Sequence, residues 1–162
     1  MVNSGFYDVG ATRATFIFDI DGVEIGRFTE VSGLEVSIDV KTFGEGGENN
    51  FSHVRPGRMV WPNVTLKRGL TEQDSLLEWL NQYSGEGYEK RKTKSTQTTA
   101  VITLTSSAGE RLRHWNFDGV FPVKWTGPSF AVDASEAGVE SLEFSHQGFR
   151  VKTVPKPPPP PI

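Results

Sequence analysis

Apolar and polar residues alternate near the start of the chain. Ala14, Phe16, Phe18 and Ile20 fall on one face, with Thr15, Ile17 and Asp19 on the other. A period of two is a strand signal, because successive side chains of extended backbone point to opposite sides. Asp21-Gly22 separates this run from residues 23–28, the pattern of a short hairpin, since glycine tolerates the positive φ of a tight turn. A third run starts at Leu34 and is expected to turn Val36, Ile38 and Val40 inward. Residues 59–67 resume the alternation through Val60, Val64 and Leu66. Pro62 cannot donate a ladder hydrogen bond, so an edge position or a bulge is expected there. Residues 98–105 carry Ala100, Ile102 and Leu104 on one face. Residues 112–125 present Trp115, Phe117, Phe121, Val123 and Trp125, and residues 139–151 present Leu142 and Phe144 with a bulge expected at Gly148.

One segment switches to a helical period. Leu76, Leu77, Leu80 and Tyr83 recur at three- and four-residue spacing, which predicts a helix over about 71–84. Thr71 is the expected cap, Glu72 and Asp74 suit the positive end, and Gly85 and Gly87 end it. Many short strands with one helix define a mainly β fold, an antiparallel sandwich or barrel with an appended α-helix.

Residues 43–58 break the alternation. Gly44, Gly46, Gly47, Asn49, Asn50, Pro56 and Gly57 leave little apolar content, so a long extended loop is expected. Loops of this length inside a compact domain are uncommon and often functional. The resulting organisation is an N-terminal arm over 1–11, a β domain over 12–154 and a proline-rich tail over 155–162 in polyproline II conformation.

Composition narrows the function classes. A chain of 162 residues fits one domain, and a net charge of −3 gives no electrostatic reason to bind nucleic acid or a membrane surface. With no cysteine, disulfides, thiolate metal sites and cysteine nucleophiles are excluded. No apolar stretch approaches the roughly 20 residues of a membrane-spanning helix, and residues 1–10 lack the pattern of a secretory leader, so cytoplasmic synthesis is expected.

Candidate chemistry is sparse. Asp19-x-Asp21-Gly22 lacks the later ligands of a calcium loop and reads as a turn. The glycines of residues 44–48 carry two carboxylates and no Gly-Lys-Ser/Thr ending, so they do not make a phosphate cradle. His53, His114 and His146 are not at metal-motif spacing, and Asp133, Glu136, Glu140 and Glu143 read as a solvated face. No catalytic residue, cofactor site or metal site is expected. Trp79, Trp115 and Trp125 fit core positions, whereas Trp61 falls out of phase and is expected to be exposed or buried only against a partner. A monomeric glycan-binding module with Trp61 as stacking platform is therefore the alternative from a different class.

The order of segments resembles the inner tube family of contractile phage tails and phage-tail-like injection systems. The resemblance is carried by FIFDIDG at 16–22, FTEVSGL at 28–34, GGENN at 46–50, RPGR at 55–58 and VTLKRG at 64–69. It continues through the Trp79 helix, WNF at 115–117, PVKW at 122–125 and ESLEFSHQGF at 140–149. It implies a non-enzymatic β-barrel subunit that closes into hexameric rings stacked as a hollow tube. The implied partners are a sheath outside, a baseplate or spike hub at one end, a terminator cap at the other, and protein cargo in the lumen. A baseplate-proximal tube-initiating subunit of the same machine is the nearest alternative. The particle would be cytoplasmic, membrane-anchored or released. The residues expected to contact neighbouring subunits or rings are Phe43, Gly46, Gly47, Glu48, Asn49, Asn50, Phe51, Arg55, Pro56, Arg58 and Trp61.

Overall fold

The computed structural model describes residues 14–44, 46–47, 52–85, 87, 89, 98–129 and 138–155. The expected N-terminal arm and all of the proline tail beyond Pro155 lie outside them.

Strands β1 (Thr15–Ile20) and β2 (Val23–Phe28) form the expected hairpin, with Asp21 and Gly22 both at positive φ. The remaining elements are β3 (Glu30–Ser32), β4 (Ser37–Phe43), β5 (His53–Val60), β6 (Val64–Gly69), α1 (Ser75–Asn81), β7 (Ala100–Thr105), β8 (Arg111–Phe117), β9 (Phe121–Thr126), β10 (Val139–Ser145) and β11 (Phe149–Thr153). They make a five-stranded sheet in the order β11-β8-β7-β1-β2, a four-stranded sheet β3-β6-β10-β9, and a separate two-stranded sheet β4-β5. Every described strand pair is antiparallel.

The two larger sheets bury their apolar faces against each other. Phe18 of one stacks on Phe144 of the other at 5.3 Å between ring centroids, and meets Phe28 and Trp79 edge-on at 6.1 and 5.9 Å. Around them Ile102, Phe117, Val64, Leu66 and Leu142 are fully enclosed.

Helix α1 lays Leu76 and Trp79 on this core but is shorter than its periodicity suggests. Its cap is Asp74, without a side-chain hydrogen bond, and the Thr71 hydroxyl accepts from Gln73 N at 3.4 Å before the helix begins. Ser75 starts the helix because its hydroxyl donates to the Ile25 carbonyl at 2.7 Å, tying the first turn to β2.

Three runs that look continuous in sequence are each divided between sheets. Residues 61–63 separate β5 of the hairpin from β6, Asp118–Val120 separate β8 from β9, and residues 146–148 separate β10 from β11. Gly119 at φ 62° and Gly148 at φ 132° supply backbone that other residues rarely adopt. The last two corners are bonded to one another: Asp118 N donates to Gly148 O at 3.2 Å and Gln147 N to Asp118 O at 2.9 Å. Gly148 is therefore a sheet-crossing corner rather than a bulge within one strand.

A second difference concerns charge. Glu140, read from sequence as solvated, is buried opposite Arg68, itself only 2% exposed, in the β6–β10 register. The Arg68 guanidinium donates to Glu140 and to the Gln73 carbonyl, and lies over the Phe28 ring at 5.2 Å. The Trp125 indole N–H donates to the other Glu140 oxygen at 3.3 Å. Charges taken out of water need such saturation, because the desolvation cost is otherwise several kcal/mol per ion.

Candidate assembly surface

Among the described residues the two large sheets and α1 cover one another, whereas the β4–β5 hairpin pairs with no other strand. Its apolar side chains stay in solvent: Val40 is 68% and Val54 64% exposed, and Ile38, Phe43, Met59 and Val60 are exposed too, as is Val36 just before β4. The expectation that Val36, Ile38 and Val40 face inward is thus corrected. The alternation is real, but no element among the described residues covers it.

The hairpin also corrects the reading of residues 43–58 as a loop throughout. Phe43 pairs with His53, Thr42 with Val54, Lys41 with Arg55 and Val40 with Pro56. The register then shifts, so that Ile38 opposes Met59 and Ser37 opposes Val60. Gly57 and Arg58 thus stand against Asp39 alone, as a β-bulge. Opposed residues share a face, so Ile38, Val40, Val54, Pro56 and Met59 line one side. Without the bulge, strict alternation would put Arg58 on that side in place of Met59. Gly57 makes the bulge possible, since a Cβ there would stand 2.9 Å from the Asp39 carbonyl oxygen. On the opposite side the Arg55 guanidinium sits 5.3 Å from the Phe43 ring centroid.

Of the residues expected at interfaces, Phe43, Arg55, Pro56 and Arg58 belong to this hairpin, and Gly46 and Gly47 to its turn. Glu48, Asn49, Asn50 and Phe51 lie outside the described residues. Trp61 lies elsewhere. It is half-buried within its own chain, edge-on to Phe149 and His146 at 5.1 and 5.9 Å. The indole is thus packed into the fold of its own subunit rather than standing free on the surface. Sequence reasoning missed Ile38, Val40, Val54 and Met59 as surface residues, because alternation alone does not say what covers a face.

The three histidines are distributed over β5, β8 and the corner after β10. Among the described residues no group of His, Asp and Glu is placed to hold a metal ion. Nor is any helix among them long and apolar enough to cross a membrane.

Among the described residues, a double-sheet body whose outer strands pair no further and an apolar hairpin left in solvent fit a subunit of a larger protein assembly. Residues 12–150 match the family model of the T4-like virus tail tube protein gp19, and the chain belongs to that family. Its fold matches a chain of the sheath-tube complex of an extracellular contractile injection system, PVC, in the extended state. That match has 27% identity, 91% of this chain and 93% of that chain covered, and a TM-score of 0.71. A chain from the PVC sheath/tube terminator structure matches at 26% identity and TM-score 0.70, covering 93% of this chain and 100% of that one. A chain from the tube-terminating cap of the anti-feeding prophage matches at 25% identity and TM-score 0.70, covering 95% and 100%. No curated protein sequence matches. The chain is a tail-tube protein, a structural subunit of a contractile injection system.

Proposed function

We propose that the chain closes into hexameric rings through its open sheet edges and stacks those rings through the β4–β5 hairpin. The product is a hollow inner tube within a contractile sheath, between a baseplate at one end and a terminator at the other. Contraction of the sheath expels the tube to puncture a target and deliver protein cargo.

The observation that carries this reading is the hairpin itself. An isolated two-stranded ribbon is marginal in water, and an apolar face left in solvent favours association. A second copy of the chain is the occupant that the family supplies, and a head-to-tail contact of this kind propagates. Among the described residues β2, β11, β3 and β9 are the outer strands of their sheets, and closing such edges around a ring removes the liability of open edges. The sheath-tube, terminator and cap structures that its relatives come from support a sheath and a terminator as partners.

The test is the double variant V40D/M59D. It is expected to yield folded subunits by circular dichroism and no tubes by negative-stain microscopy, since each carboxylate would be buried unpaired in the contact. Tubes of normal length from this variant would overturn the stacking role.

A further inference from the structure

His146 lies where three parts of the molecule meet: the 61–63 linker that roots the hairpin, the end of β10 and the start of β11. Its Nδ1 accepts the Gly148 backbone N–H at 3.1 Å. With Nδ1 engaged as an acceptor, the ring proton sits on Nε2, which donates to the Pro62 carbonyl at 3.0 Å. Only the neutral ring with its proton on Nε2 satisfies both contacts. The enclosure is aromatic, with Phe117, Phe149, Trp61 and Phe144 at 5.1, 5.8, 5.9 and 6.2 Å. Two of the surrounding carboxylates already have partners. Asp118 and Arg150 pair with each other at 2.9 Å, and Glu143 accepts from Asn63 at 2.7 Å.

We propose that His146 is a proton-operated latch on the root of the hairpin, closed when the ring is neutral and released when Nδ1 takes a proton. A protonated Nδ1 would face the Gly148 N–H donor to donor, so the corner must move. That corner is the surface on which Trp61 rests: a Cβ at Gly148 would lie 3.3 Å from the indole Cε2 and Cζ2 atoms. Trp61 directly follows Val60, the last residue of β5, so loosening its seat frees the angle at which the hairpin leaves the body. Burial holds the imidazole below its ordinary pKa, against the raising influence of the Pro62 carbonyl. The latch is therefore closed at neutral pH and opens on acidification. The inference concerns the single subunit and stands whatever the hairpin docks on.

The experiment is hydrogen exchange on the dilute, unassembled full chain at pH 7.5 and pH 5, corrected for intrinsic rates. Wild type is expected to lose protection several-fold in peptides spanning β5 and the 61–63 linker on acidification, with β7 unchanged. H146Q, which cannot titrate, is expected to show no such loss. Equal protection in wild type at a pH where nitrogen NMR shows His146 protonated, or a loss that persists in H146Q, overturns the latch. If H146Q does not fold, the H53Q/H114Q variant retains His146 as its single imidazole, whose protonation is followed by nitrogen NMR. Loss of linker protection must then track that titration, and loss while His146 remains neutral overturns the proposal.

Discussion

The double-sheet body and the β4–β5 hairpin are written in the same alternating code and meet opposite fates. In β6 the sequence VTLKRG buries Val64, Leu66 and even Arg68, because β10 and the facing sheet cover that side. In β4 the sequence SIDVKTF leaves Ile38 and Val40 in water. The difference lies in what covers each face, and alternation is silent about that. An amphipathic strand covered within its own chain contributes to folding, whereas one left uncovered contributes to association.

The strongest way to break this comparison is to damage each region and compare the consequences. Phe144→Ala in the body removes a ring stacked on Phe18 and edge-on to Phe117, and should cost about 3–5 kcal/mol in urea unfolding. Glu140→Ala leaves the Arg68 guanidinium buried without its carboxylate. A loss of about 3 kcal/mol is expected, while the joint replacement R68M/E140L should recover most of it. If Glu140→Ala were harmless, the buried pair would not be a core element.

On the hairpin the expectation reverses. Val40→Asp should change subunit stability by no more than about 0.5 kcal/mol, the usual range for exposed positions, yet lower the yield of sedimentable tubes sharply. Gly57→Ala tests the bulge: its methyl meets the Asp39 carbonyl, so it should disturb the register and shorten tubes without moving the melting midpoint of the body.

The smallest effect expected is at Asp19. Burial raises its pKa, with Glu24 adding to this and Arg111 opposing it. A carboxyl with a raised folded-state pKa contributes stability below its unfolded value and loses it as pH rises through the folded one. Asp19→Asn should therefore raise the melting midpoint slightly at pH 7, with the gap closing toward acid.

Much of the body was legible in the sequence because alternation, Asp21-Gly22 and the leucine spacing of the helix each act locally. The limits were equally physical. Strand runs that cross sheets keep their alternation through the corner, so Pro62 and Gly148 marked irregularities without revealing a change of sheet, and the run through Gly119 read as unbroken. The hairpin's second strand was hidden by the bulge, which puts Met59 in phase with Val54 and Pro56 against the reading of residues 59–67 as one strand. Arg68 and Glu140 occupy inward phases of VTLKRG and ESLEF, and only their charge argued against burial.

One hairpin projecting from the body also makes any stack built on it directional. A tube of identical rings that engage in this way has two chemically different ends, one displaying unused hairpins and the other unused receiving surfaces. Growth and termination then call for different binding partners, so the two ends can be started and stopped independently.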